Sequence, residues 1–277
     1  MTTSKHKVIV VTGASSGIGK TGALRLISEG YTVYGAARSV DKMQDLVVAG
    51  GHVLPLDVTD ASSVKQAVAQ VLKEQGRIDV LWNNAGYSVA GAVEDVPLLD
   101  ARQQFEVNLF GVAEITKTVL PQMRKQRSGL IINTSSVGGK VFSPLNAWYH
   151  ASKFALEGWS DALRLELAAF NIDVVVLEPG GIKTDFGRTM YEPLLKRAEG
   201  GAYEAFTQRI AASYERYYTA NDSTLSPPSV VGEAVAKIVQ STRPPTRYAV
   251  GYMARTALAL RWLLSDRLFS RMIMTQF

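Results

Sequence analysis

The chain contains no cysteine and only three histidines, His6, His52 and His150. These shortages exclude disulfides, thiolate zinc sites and cysteine nucleophiles, and leave too few imidazoles for a histidine metal cluster, so no metal site is expected. No apolar run of about eighteen residues occurs anywhere, which excludes a membrane-spanning helix. The short apolar run Val8–Val11 lacks the length and cleavage pattern of a secretory signal, and the expected location is cytoplasmic. Glycine (23) and proline (10) stay near ordinary usage and 47% of the 277 residues are hydrophobic, so neither a fibrous nor a disordered chain is expected. Acidic residues are scarce in one region only. Residues 241–277 carry six arginines against Asp266, and residues 1–240 balance at 24 basic and 24 acidic side chains. A neutral main body argues against nucleic acid as a partner despite the net charge of +5.

What is present is a regular alternation. Apolar, β-branched runs of strand length occur at Lys7–Thr12, Thr32–Ala36, His52–Leu56, Ile78–Trp82, Gly129–Thr134, Ile172–Leu177 and Arg247–Val250. Helical periodicity fills Gly17–Glu29, Ala61–Gln75, Asp100–Gln126, Ala147–Phe170 and Val230–Ser241. Strands apolar on both sides of the pleat are strands buried on both faces, so the expected fold is α/β: one doubly wound, mostly parallel, seven-stranded sheet with helices on each side. This body spans residues 1–252, with an insertion at 183–228 and a C-terminal extension at 253–277.

The first strand runs into Gly13-Ala14-Ser15-Ser16-Gly17-Ile18-Gly19 and then a helix, the order of a dinucleotide-binding turn. Glycines let backbone N–H groups approach a pyrophosphate, and the positive helix end meets its charge. The same residues match the G-x-S-x-G elbow of serine hydrolases, but that elbow needs upstream strands and an oxyanion loop that twelve preceding residues do not supply. The second strand ends Ala36-Ala37-Arg38-Ser39, without an acidic residue, and Arg38 lies nineteen positions past Gly19. An acid there would take the ribose 2′-OH of NAD, whereas a guanidinium takes a 2′-phosphate, so NADP(H) is the expected cofactor. Tyr149 and Lys153 stand at i and i+4 on one helix face, where a cation favours the phenolate and lowers its pKa toward working pH.

With Asn83-Asn84-Ala85-Gly86 after the fourth strand, Ser135-Ser136 after the fifth and Pro179-Gly180 after the sixth, the chain resembles the short-chain dehydrogenase/reductase family over roughly residues 5–250. The resemblance implies a Rossmann fold and an oxidoreductase acting between a carbonyl and a secondary alcohol. It implies Tyr149 as general acid/base, Lys153 as its pKa-lowering and ribose-binding partner, Ser136 as the group orienting the substrate carbonyl, and Asn108 as a helix-kinking residue near a relay water. It further implies cofactor contacts from Gly13, Ser15, Ser16, Gly17, Ile18 and Gly19 at the pyrophosphate, and from Arg38 and Ser39 at the ribose phosphate. Asp57 and Val58 would meet the adenine, Asn84, Ala85 and Gly86 the adjoining ribose, and Pro179, Gly180, Ile182 and Thr184 the carboxamide and pyrophosphate. Tyr149 and Lys153 count in both sets. His150 is expected to point about 100° away from Tyr149, and Asn83 to brace the sheet as a buried amide. A dinucleotide-sensing regulator without chemistry is the alternative, and it has no need of Ser136, Tyr149 and Lys153 together.

Residues 183–218 carry Phe186, Tyr191, Tyr203, Phe206, Tyr214, Tyr217 and Tyr218, seven aromatics in 36 residues against 9% chain-wide. An aromatic lid here implies a bulky apolar ketone or alcohol; the same rings would also serve to pack two small helices onto the body. Family members acting on steroids, retinoids or acyl-dihydroxyacetone phosphate are similar over the first 190 residues or so. The resemblance also implies a homodimer or homotetramer built on the helices Asp100–Gln126 and Ala147–Phe170. The segment Met253–Met274 is expected as one helix, with Trp262, Phe269 and Ile273 on one side. Docking on protein is preferred over peripheral contact with an anionic membrane.

Overall fold

The computed structural model describes residues 7–219 and 224–277, apart from a few lid side chains. Seven strands, β1 (Val8–Thr12), β2 (Thr32–Ala37), β3 (His52–Pro55), β4 (Val80–Asn83), β5 (Gly129–Thr134), β6 (Ile172–Pro179) and β7 (Arg247–Val250), form one sheet in the order 3-2-1-4-5-6-7. Every pairing is parallel. Period-two alternation divides the core between the two faces. Ile9, Val11, Trp82, Ile132 and Val175 pack toward α1 (Gly17–Ser28) and α9 (Ser229–Gln240). Val8, Val10, Leu81, Ile131 and Val174 pack toward α3 (Ala61–Gln75), α5 (Val112–Gln126) and α6 (Ala147–Leu167). The strand order reverses between β1 and β4, and open parallel sheets bind ligands at such a switch point, beyond the strand C-termini.

Local chemistry sets the boundaries. The α3 helix starts where Asp60 Oδ1 accepts the Ser62 N–H at 2.9 Å and stops at Gly76, whose φ of +68° suits only glycine well. A short helix α2 (Gln44–Val48) follows β2. The helix expected over Asp100–Gln126 begins earlier and is not uniform. It comprises α4 (Leu98–Phe105), a π-helical turn at Glu106–Gly111, and α5. The insertion forms α7 (Asp185–Ala198) and α8 (Glu204–Thr219).

The C-terminal expectation of one helix is corrected. Residues Ala254–Leu263 form α10 and Asp266–Met274 form α11, with Leu264 and Ser265 extended between them. That corner breaks the helical phase linking Trp262 to Phe269, so Phe269 is buried while Trp262 is 85% exposed. Phe269 meets Phe142 edge-on at 5.3 Å, and Phe277 joins an apolar cluster with Leu145, Met190, Leu194 and Ile210. The extension therefore packs on the body through one face.

The α6, β6 and β7 elements are tied by an ion cluster. Arg247 donates to Asp161 at 2.7 and 3.1 Å and to Glu157 at 2.9 Å, and its Nε lies 3.6 Å from Glu178. Arg247 holds the Asp161 carboxyl down to about 2. Burial, reinforced by Glu157, pushes Glu178 up to about 7. Because Glu178 keeps its proton longer in the folded than in the unfolded chain, its contribution is fully present below its ordinary pKa of 4.5 and is lost as pH rises through 7. The stability difference between wild type and Glu178→Gln should therefore move by about 2–3 kcal/mol in favour of the variant between about pH 5 and about pH 8. Urea unfolding at both pH values checks this, and a difference that does not vary with pH would contradict it.

Candidate active site

The glycine turn is shaped for close approach. Gly13 has φ of +68°, and a Cβ there would stand 2.8 Å from Ala85 Cα. A Cβ on Gly19 would collide with the Asn84 amide and the Gly13 carbonyl. The β4 loop is laced to this turn: Asn84 and Ala85 donate their N–H groups to Thr12 Oγ1 at 2.9 and 3.0 Å, and Asn84 Nδ2 donates to Thr12 O at 3.2 Å. The first turn of α1 holds no acidic residue, and Ser16, at its N-cap, makes no side-chain cap. Its backbone N–H groups thus present positive charge beside a cradle kept open by glycines, which fits a pyrophosphate. Thr184, at the start of α7, lies 3.6 Å from where a Gly17 Cβ would be, so the expected pyrophosphate residues from both halves of the sheet face one another. Ser15, Gly17 and Ile18 are half-buried, Ser16 is exposed, and Ile182 is buried beneath Gly251. Pro179 ends β6, and Gly180 donates its N–H to Val250 O at 2.9 Å.

Arg38 is exposed just past β2, with Ser39 next to it half-buried. Its field reaches Asp57, whose carboxyl is held below the usual range first by the Thr59 N–H at 2.9 Å, with the Thr59 hydroxyl and Arg38 adding to this against burial. Val58 is buried under the π turn, where a Cβ on Gly111 would meet it at 2.8 Å.

Ser136 leaves β5 in extended conformation, and its Oγ accepts the Gly138 N–H at 3.0 Å. The same hydroxyl donates to Pro179 O at 3.5 Å and lies near enough to the Tyr149 phenol to favour its ionised form. Lys153 is buried one turn along α6, donates to Thr134 O at 2.8 Å, and holds Nζ 5.9 Å from the Tyr149 ring centre. Burial pushes the Lys153 ammonium down to about 8, with Glu157 acting against it. The expected lowering of the Tyr149 pKa is corrected: burial pushes this phenol up, and only the nearby Ser136 hydroxyl pulls the other way. The i,i+4 spacing gave the direction of the lysine stem but not the cost of removing the phenolate from water.

Asn108 sits fully buried in the π turn. Its Nδ2 donates to Tyr87 O at 2.9 Å and to Ser152 Oγ at 3.1 Å, and its Oδ1 accepts the Tyr87 N–H at 3.1 Å. Gly86 lies between this amide and Lys153, since its Cβ would stand 3.1 Å from Asn108 Oδ1 and 3.7 Å from Lys153 Nζ. Asn83 braces the sheet, donating to Asn133 Oδ1 at 2.9 Å and Thr116 Oγ1 at 3.2 Å.

Sequence reasoning passed over His150. Its Nε2 accepts the Ser143 N–H at 3.0 Å, and a backbone N–H only donates, so the ring proton lies on Nδ1 and is donated to Gly138 O at 2.9 Å. Burial pushes the His150 pKa down, in keeping with this neutral form. The imidazole thereby pins the loop that carries Ser136. Helical periodicity tells where His150 points but not which loop waits there. Two further features have no local signal: Phe186 lies 5.7 Å from the Tyr149 ring, and Asn146 links Ser88 to the Tyr214 hydroxyl. Tyr203, Phe206 and Tyr214 pack against buried Ala90, Leu145, Met190, Leu194 and Ile210. These lid rings thus hold α7 and α8 on the body, and Phe186 is the lid ring set against Tyr149. The side chains of Tyr191, Tyr217 and Tyr218 lie outside the described residues, as does His6.

Among the described residues, no group of three or more His, Asp or Glu side chains is arranged to hold a metal ion. Over 257 residues the chain is 38% identical to a 3-ketodihydrosphingosine reductase of Bacteroides thetaiotaomicron, covering 91% of each chain. A short-chain dehydrogenase from Streptomyces avermitilis has a similar structure, with a TM-score of 0.80, 32% identity and coverage of 96% of this chain and 95% of that one. The fold is also shared with a family member from Burkholderia phymatum in complex with NAD, at a TM-score of 0.80 and 22% identity, over 98% of this chain and 97% of that one. The short chain dehydrogenase family model matches residues 7–194, more than half of the chain. With the parallel sheet and the glycine turn described above, these matches establish that the chain belongs to the short-chain dehydrogenase family of nicotinamide-dependent oxidoreductases.

Proposed function

We propose that this protein is an NADP(H)-dependent reductase of a bulky apolar ketone, and that the reverse oxidation uses the same site. The observation that carries the reading is the meeting of Ser136, Tyr149 and Lys153 at the strand C-termini, with Lys153 buried, bonded to Thr134 O and holding Nζ 5.9 Å from the Tyr149 ring centre. Bound nicotinamide supplies the hydride chemistry. Ser136 and Tyr149 offer two hydroxyls to one substrate oxygen, polarising the carbonyl where negative charge develops. Burial keeps the Tyr149 phenol protonated through the neutral range, which suits a proton donor to that oxygen. Lys153 faces the tyrosine and would hold the nicotinamide ribose, while Asn108 positions Tyr87 and Ser152 around them. Gly13, Gly17 and Gly19 with Thr184 would hold the pyrophosphate, and Asp57 and Asn84 would flank the adenosine. The exposed guanidinium of Arg38, at the end of a strand with no acid, supports NADP over NAD.

The apolar cluster under α7 and α8 and the ring of Phe186 over Tyr149 support an apolar substrate. The reductase relative named above supports a long-chain ketone as the first to test. Screening NADPH oxidation across steroid, retinoid, acyl and long-chain amino ketones tests activity and class together, and no turnover on any of them would count against the reading. No specific observation favours the dinucleotide-sensing regulator. A homodimer or homotetramer is part of the proposal: Phe110 on the π turn and Phe154 on α6 are 54% and 45% exposed, large apolar side chains on the expected interface helices. Light scattering that finds only a 30.1 kDa species would contradict it.

A further inference from the structure

The hairpin of α10 and α11 has two unlike faces. Its inner face is anchored on the body by Ala254, Phe269 and Phe277, and Arg261 lies over the rings of Phe142 and Phe269 at 5.7 and 5.5 Å. Its outer face carries Arg255, Ala259, Trp262 and Leu263 on α10, and Arg267, Leu268, Arg271 and Met274 on α11, all exposed. The α10 set recurs at i, i+4, i+7 and i+8, and Arg267, Arg271 and Met274 at i, i+4 and i+7, one side of each helix, with Leu268 at the edge of its side. Trp262 and Leu263, at 85% and 67% exposure, stand at the corner where α10 ends, and Leu268, at 51%, stands just beyond it. A tryptophan and two leucines left this open next to one another are not surplus core, because Phe269 already fills the core contact.

The charges on this face are of one sign. Asp266 is the one acidic side chain from 254 to 274, and it is ion-paired with Arg261 at 2.8 Å. Arg255, Arg267 and Arg271 have no acidic partner among the described residues. A two-fold contact between copies would set these arginines against the same cationic face. An anionic lipid surface neutralises them and accepts an indole and leucines at headgroup depth. No helix among the described residues is long and apolar enough to cross a membrane, so such contact is peripheral.

We propose that the outer face of the α10–α11 hairpin docks on anionic membrane surfaces, with Trp262, Leu263 and Leu268 entering the interface and Arg255, Arg267 and Arg271 meeting lipid phosphates. The proposal rests on observations separate from the reaction assigned above. The test is flotation of the full chain with vesicles of phosphatidylglycerol in phosphatidylcholine, at about 0.05 M and about 0.5 M salt. Wild type should bind at low salt, with affinity on the order of a hundredfold lower on pure phosphatidylcholine or at high salt. The double variant Trp262→Glu/Leu263→Glu and the charge variant Arg267→Glu/Arg271→Glu should each lose binding while reducing a water-soluble ketone at the wild-type rate. Absence of wild-type binding at low salt would overturn the proposal, as would binding that both variants retain. Self-association without lipid binding, abolished by Trp262→Glu/Leu263→Glu, would overturn it by making this face a contact between copies. A chain that binds vesicles but reduces no ketone would sink the assigned reaction and leave the docking surface standing.

Discussion

Replacing Tyr149 with phenylalanine is expected to lower the rate of ketone reduction by about a thousandfold while leaving the dissociation constant for NADPH within a fewfold of wild type. The phenol is the proposed proton donor beside the Ser136 hydroxyl, so its loss removes both the proton and half of the carbonyl's polarisation. The ring itself is retained, so its packing against Phe186 and beneath Lys153 survives. The proposed cofactor contacts fall mainly on the glycine turn and on Thr184, which faces Gly17. Single-turnover kinetics with a saturating ketone, paired with a fluorescence titration of NADPH, separates the two effects. A variant that turns over at more than about a tenth of the wild-type rate would mean that the proton comes from elsewhere.

Arg38→Ala is expected to weaken NADPH binding by about 10- to 100-fold and to leave NADH binding nearly unchanged. The guanidinium is exposed, so the substitution opens no cavity and costs the fold little. What it removes is the cation directly after β2, where the 2′-phosphate would lie. Its field also helps hold Asp57 ionised, but the Thr59 N–H is the larger cause there, so the adenine side of the site should persist. Comparing kcat/KM for the two cofactors in wild type and variant reads the effect directly. Equal wild-type values for NADPH and NADH would remove Arg38 from the account of specificity.

Much of this architecture is legible in the sequence because parallel sheets write themselves as apolar runs. Gly129–Thr134 and Arg247–Val250 end where the pattern says, and α3 stops at Gly76 for a reason visible in one residue. The glycine turn and the Tyr149–Lys153 spacing are also local, and local spacing carries their geometry. The departures all depend on contacts far apart in the chain. The π turn at Glu106–Gly111 holds Asn108 against Tyr87 and Ser152, 21 and 44 positions away, and periodicity alone reads through it as one helix. The break at Leu264–Ser265 lies inside a run apolar enough to continue, and it reverses the fate of Trp262. The pKa of Tyr149 turns on its burial, which no spacing in α6 reports. Helical phase separates His150 from Tyr149, yet the two rings meet edge-on at 6.0 Å, and the His150 bonds to Gly138 and Ser143 depend on the loop after β5.

The central claim is that a protonated Tyr149, beside Ser136, completes reduction of a ketone carbon by NADPH. The most direct measurement supplies deuterated NADPH with the best ketone from the panel and locates the label in the product by mass spectrometry and NMR. The account predicts one deuterium on the carbinol carbon, a hydroxyl proton from solvent, and no labelled alcohol above background from the Tyr149→Phe enzyme. Label on the carbon at an undiminished rate in that variant, or cofactor oxidation without any labelled alcohol in wild type, would contradict it.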